Sequence, residues 1–121
     1  MPVLPEGKII QIKDAQLNVS CAKTGMELMT GLKGATSLEP YDGMLFDFGI
    51  SMNIIMTPKG CLFPLEVAFI TDDGEIKEIK LLDPGTGFTQ ESSSKVRFAL
   101  EVPKGFFAKN GITIGDIITN L

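Results

Sequence analysis

The chain has 121 residues, of which 44% are hydrophobic and 21% charged, and its 15 acidic and 11 basic side chains give a net charge of −4. This length and balance predict one globular domain over residues 1–121. A chain with a single arginine, Arg97, offers no basic surface for nucleic-acid phosphates, so we expect no nucleic-acid partner. No apolar run is long enough to cross a bilayer, and we expect no membrane partner.

The first half of the chain predicts short strands and one short helix. Thr24 and Glu27 have the spacing of a capping box, which predicts a helix over 24–32. Gly31 and Gly34 limit that helix to about two turns. Apolar and polar residues alternate, as in strands, over 8–13, 15–21, 44–48 and 51–57.

The centre of the chain predicts a β-hairpin. Both faces of the stretch 65–70 are apolar, which is typical of a strand buried on both sides. Asp72, Asp73 and Gly74 then supply the residues of a tight turn, and 75–82 returns as the partner strand.

The last third predicts a polar loop over 83–94, a strand over 95–102, a short helix over 103–109 and a last strand from residue 117. In the strand 95–102, Arg97 and Glu101 are expected to point outward. About seven or eight short strands with two short helices predict a mainly β (α+β) fold. We expect a compact antiparallel β-sandwich or a partly closed barrel.

The residue types present exclude several kinds of chemistry. The chain has no histidine, and its two cysteines, Cys21 and Cys61, are isolated in apolar runs. We therefore expect core thiols, no metal site and no cofactor. The N-terminal residues lack the features of a signal peptide, so we expect a cytoplasmic protein.

Glu66 is the first candidate for a functional side chain, because it interrupts an apolar strand. A carboxylate at such a position must be paired or solvated in a cleft. Arg97 is its expected partner, in a structural ion pair or beside a ligand-binding carboxylate. Asp47, Asn53 and Lys59 would join Glu66 at one mouth of the sheet, as polar groups of an apolar pocket or as solvated side chains.

The methionines are numerous, but their spacing predicts core positions rather than a copper site. This expectation covers Met26, Met29, Met44, Met52 and Met56.

Three ordered blocks of the sequence resemble the family called domain of unknown function 192. The first block is Gly31-Leu32 followed by GMLFDF at 43–48. The second is PLE at 64–66 followed by DDGEI at 72–76. The third is Leu100-Glu101, then Gly105 and NGITIGD at 110–116.

The resemblance implies a compact, mainly β domain with no established activity, often exported in bacteria and archaea. The family usually has FWMKNT before the second block, where this chain has MTPKGC at 56–61, and only Lys59 lines up. Many relatives also have a cysteine pair in the loop after the hairpin, whereas 83–94 has none. The sequence therefore resembles an unexported variant, from a phage or a cytoplasmic paralogue.

These observations favour a non-catalytic β-domain that binds a small molecule or a protein partner through the open end of its sheet. One alternative is an enzyme with Glu66 or Asp47 as acid or base, which requires a raised carboxylate pKa. Another is a structural or assembly subunit, including a homodimer, that pairs through a strand edge or a methionine-rich face.

Overall fold

The computed structural model describes residues 2–121 and confirms a mainly β fold with two short helices. The elements in chain order are β1 (Gly7–Ile12), β2 (Ala15–Ala22), α1 (Gly25–Thr30), β3 (Gly43–Met52), β4 (Ile55–Met56), β5 (Leu65–Ile70), β6 (Ile76–Leu82), β7 (Gln90–Glu91), β8 (Val96–Pro103), α2 (Phe106–Lys109) and β9 (Ile118–Thr119). Neither helix has the length or the apolar character needed to cross a bilayer within this part of the chain.

Seven strands form one curled sheet in the order β6-β5-β8-β3-β2-β1-β9, and β4 pairs with β7 in a small second sheet. The two edges of the large sheet approach each other at one corner. There Glu75 forms an antiparallel bridge with Ile117, and the Ile118 amide donates to the Gly74 carbonyl at 2.8 Å. The partly closed barrel is therefore the form that the chain adopts.

One pair of strands departs from the expected antiparallel arrangement. β2 and β3 run parallel, with Val19 opposite Gly43. A parallel pair requires a long crossover, and residues 23–42, which contain α1, supply it.

The predicted central hairpin is confirmed. β5 pairs antiparallel with β6 from Leu65 opposite Leu82, and it pairs with β8 on its other edge. In the turn, Gly74 has φ +92°, a conformation that L side chains rarely adopt.

The central strands are buried on both faces. Leu65, Val67 and Phe69 of β5 belong to the core beneath α1 and the small sheet. Ala68 and Ile70 belong to a second core on the opposite face, inside the curl of the sheet, where α2 contributes Phe107. β8 contributes buried residues to both cores, Val96 and Ala99 to the first and Phe98 and Leu100 to the second, so neither of its faces is a solvent face.

Several predicted boundaries differ from the structure. β3 continues through Ser51 and Met52, and of the rest of the predicted strand 51–57 only Ile55–Met56 forms a strand. Its partner, Gln90–Glu91, lies inside the stretch predicted as loop. α2 begins after Gly105 because β8 continues through Pro103.

The expectation of core methionines holds for Met44 and Met56, which are buried. It is wrong for Met26 and Met29, which are 79% and 72% exposed, and Met52 is also exposed. α1 has only six residues and no fully buried side chain, so it has no room for a broad apolar face.

Candidate functional site

A cavity of about 100 Å³ lies between α1 and the face of the large sheet. Leu28 and Met29 of α1 form one wall, and Phe46 of β3 and Leu65 of β5 belong to the sheet side. Glu101 of β8 contributes a carboxyl group from the middle of the sheet. The cavity thus combines apolar walls with a deeply placed carboxyl group, as small-ligand sites do.

Glu101 is only 2% exposed. It lies opposite Met44 on β3 and Val67 on β5, so apolar side chains flank it on both sides. Every fully enclosed side-chain nitrogen or oxygen among residues 2–121 has a hydrogen-bond partner. Burial is the one influence on the pKa of the Glu101 carboxyl, with no hydrogen bond or ion pair from these residues acting on it, and the residue lines the cavity.

Burial raises the pKa of Glu101 to about 8. The side chain is therefore mostly a neutral carboxylic acid at pH 7, with one O–H donor and free acceptor capacity. The prediction that Glu101 points outward is wrong, because β8 is buried on both faces. The signal was present in the sequence: Ala99, Leu100 and Val102 surround the glutamate with apolar residues.

Two lysines line the same cavity, Lys33 after α1 and Lys59 before β5, and both are exposed. The Gly34 amide donates to the Gly60 carbonyl at 2.7 Å and ties their two turns together. No carboxylate among residues 2–121 lies within ion-pair distance of either ammonium group. Glu101 is the one acidic side chain among the described lining residues.

Cys61 also lines the cavity as a free, buried thiol. Burial is the main cause that raises the pKa of Cys61, and its Sγ lies 3.4 Å from the Phe63 carbonyl oxygen. A thiol that resists ionisation is a poor nucleophile, so this residue contributes an apolar wall.

Arg97 pairs with Asp47 and Asp72 instead of Glu66. Its Nε and Nη2 donate to the two Asp47 oxygens at 3.0 and 3.2 Å, and its Nη1 donates to Asp72 at 2.9 Å. The strand register explains the difference, because Glu66 lies opposite Val102, five positions along β8. Five residues of extended strand span about 16 Å.

Asp47 does not have the electrostatics of a general base for neutral pH. Burial opposes its ionisation, but the hydrogen bonds from Arg97 and from the Gly49 amide prevail and keep the pKa of Asp47 below its usual value. A carboxylate in this state fixes the end of β3 to β8.

Glu66 and Asn53 are not among the described residues that line the cavity. The Glu66 carboxylate accepts from the Phe107 amide of α2 at 2.9 Å. Asn53 donates through Nδ2 to the Ser92 carbonyl at 3.1 Å, beside the small sheet. Of the five predicted residues, Lys59 alone is among the described residues lining the cavity. No group of three or more His, Cys, Asp or Glu within 2–121 is placed to hold a metal ion.

Residues from the three blocks of the family resemblance meet at this cavity. They are separated along the chain, and the sheet brings them onto one face. Those that line the cavity are Gly31, Leu32, Phe46, Phe48, Leu65 and Glu101.

Comparison with known proteins agrees with the resemblance. The DUF192 family, described as Uncharacterized ACR, matches residues 8–120. A structure from Sinorhizobium meliloti 1021, named as a candidate transcription regulator, shares 27% identity at a TM-score of 0.88, covering 98% of this chain and 96% of that one. A Novosphingobium aromaticivorans structure of unknown function shares 20% identity at a TM-score of 0.84, covering 98% and 91%. No curated protein matches the chain. Because the family match covers almost the whole sequence, the chain belongs to the DUF192 family.

Proposed function

We propose that this protein is a non-catalytic domain that binds a small molecule in the cavity beside Glu101. The observation that carries the proposal is a buried carboxyl group, open to a cavity and without a protein partner. Leaving such a group unpaired costs stability. A ligand that hydrogen-bonds the carboxyl group offsets that cost, so a binding role explains why a glutamate occupies this buried position.

Binding accounts for the cavity better than catalysis does. General acid–base chemistry usually pairs a proton donor with a base, but the described wall has one carboxyl group, and the sequence has no histidine. The thiol of Cys61 resists ionisation, so it does not supply a nucleophile.

The relative from Sinorhizobium meliloti is named for regulation of transcription. Direct DNA contact is not favoured for this chain, because its net charge is −4 and its single arginine is held by two aspartates.

The test is a thermal-shift screen of carboxylic acids, amines, sugars, nucleotides and divalent metals. A ligand at 100 times its dissociation constant adds about 2.7 kcal/mol to the free energy of unfolding. We expect a hit whose stabilisation is reduced in Glu101→Gln and retained in Glu66→Gln, each measured against its own unliganded variant. A hit that stabilises Glu101→Gln as much as the wild type would contradict this site.

A protein-contact function is the second candidate. Ile50 and Ile55 are 66% and 62% exposed, and Met52 lies between them. Exposed apolar side chains so close in sequence suit a subunit contact. A blank ligand screen, together with a dimer whose population rises with concentration in light scattering, would favour this candidate.

We also propose that the protein works in a reducing compartment such as the cytoplasm. Support comes from Cys21 and Cys61, which are both free thiols and both have a pKa raised by burial. Fractionation of the source cells tests this proposal, and recovery from the exported fraction would oppose it.

A further inference from the structure

We infer that the ligand of the Glu101 cavity is a small organic anion, a short carboxylic acid with a carbonyl or hydroxyl group at its far end. The inference rests on the proposed binding function and adds the chemical class and the orientation of the ligand. The carboxylate would lie near Lys33 and Lys59, and the uncharged oxygen would contact Glu101.

The first argument is the charge distribution around the cavity. Lys33 and Lys59 are both exposed at the cavity, and neither has a carboxylate partner within residues 2–121. The Lys33 side chain lies over Gly60, where an added Cβ would be 3.0 Å from its Cγ. The two lysines are therefore held on adjoining turns. The protein as a whole has a net charge of −4. Such a local excess of positive charge attracts anions.

The second argument is the chemistry of the inner end. Glu101 has no positive partner and is surrounded by apolar side chains such as Met44 and Val67. A buried charge without a counter-ion is costly, so Glu101 is held in its neutral, protonated form, and an uncharged polar group complements it. A carboxylic acid donates one hydrogen bond and accepts others, which matches a carbonyl or a hydroxyl group.

The third argument is size and wall chemistry. The cavity volume of about 100 Å³ admits only a small molecule. Leu28, Phe46 and Met56 line the same cavity and supply apolar walls. A short hydrocarbon stem therefore fits between the anionic end and the uncharged end.

Levulinate is a suitable probe, because it has a carboxylate, a short stem and a ketone. Valerate keeps the charge and lacks the ketone, and levulinamide keeps the ketone and lacks the charge. We would titrate each into ¹⁵N-labelled protein and follow the backbone amides of Lys33, Lys59 and Cys61 by NMR. We expect levulinate to bind about two- to tenfold more tightly than valerate, the effect of one neutral hydrogen bond. Its affinity should weaken as salt is added, whereas that of levulinamide should not change.

The variants separate the two ends of the ligand. Lys33→Gln and Lys59→Gln should each weaken levulinate binding about two- to fivefold and leave levulinamide unaffected. Lys109→Gln is the matched control, since this exposed lysine lies on α2 against the opposite face of the sheet. Glu101→Leu should remove the preference for levulinate over valerate.

Two results would overturn the inference, and they are distinguishable. If levulinamide or butylamine perturbs the cavity amides more strongly than levulinate, the cavity binds ligands and the proposed function stands, but the anion class is wrong. If no probe perturbs those amides at millimolar concentration, the anion class is wrong, and a blank thermal-shift screen of the other ligand classes would then contradict the binding function as well.

Discussion

Glu101 lies at the centre of β8 between Met44 and Val67, and its carboxyl group has no ion-pair or hydrogen-bond partner within residues 2–121. Its pKa is about 8 in the folded protein, against a usual value of 4.5. Between these two pH values the folded chain keeps a proton that the unfolded chain has lost. Stability therefore falls as pH rises through this range.

We expect the free energy of unfolding to decrease by up to roughly 1.4 kcal/mol per pH unit between pH 5 and 8 because of Glu101. Cys61, which lines the same cavity, does not titrate in this range, because burial raises its pKa above the usual 9.0. Urea denaturation at several pH values would measure the slope. Glu101→Gln should flatten it, and Glu91→Gln, at an exposed position, should not.

Carboxylates with a lowered pKa affect the free energy of unfolding in a separate, more acidic pH range. Asp116, for example, accepts from the Thr113 amide and pairs with Lys13, and its pKa lies below 3.8. The stability that this group contributes is lost only as pH falls through the acidic range. A wild-type stability that stays constant or rises from pH 5 to 8 would therefore contradict the role given to Glu101.

At the scale of elements, α1 depends on its capping box. The Thr24 hydroxyl accepts from the Glu27 amide at 3.1 Å, and Glu27 accepts from the Thr24 amide at 3.0 Å, as the sequence predicts. A helix of six residues has little internal stability, so these bonds matter for the cavity wall that it forms.

We expect Thr24→Ala to lower the free energy of unfolding by about 1 kcal/mol. Amide hydrogen exchange should accelerate over Gly25–Thr30, while the strands of the large sheet keep their protection. Thr24→Ser is the matched control, since it keeps the hydroxyl acceptor. Equal exchange rates for the alanine variant and the wild type would show that packing alone holds α1 in place.

At the scale of the whole molecule, the corner where the two sheet edges meet has the most specific geometric requirement. Gly74 combines φ +92° with a backbone that lies directly against the Ile118 carbonyl. A Cβ at this position would collide with that oxygen, which cannot move without breaking the closure. Gly87 also has a positive φ, +73°, but an added Cβ there meets open space.

We expect Gly74→Ala to destabilise the protein by about 2–4 kcal/mol, and Gly87→Ala by about 1 kcal/mol. The difference reports the cost of opening the barrel corner, because both variants place an L side chain at a positive φ. Urea denaturation would provide both values. Equal losses in the two variants would mean that the corner contributes little to stability.

The sequence predicted those parts of the fold that depend on neighbours along the chain. The hairpin over β5 and β6 followed from the apolar stretch 65–70 and from Asp72, Asp73 and Gly74 in the turn, and the helix start followed from Thr24 and Glu27. These features are local, since side-chain direction and capping depend only on residues a few positions apart.

The sequence alone also determined the family, because its blocks of residues match along the chain. It did not determine the site. Glu66 and Glu101 both interrupt apolar strands, and only the register of β5 against β8 places Glu66 at the start of α2 and Glu101 beneath α1. Whether a strand has a solvent face depends on what covers it, so only the tertiary structure decided that Glu101 is buried. The tertiary structure also brought Lys33 and Lys59, which are far apart along the chain, to the same cavity.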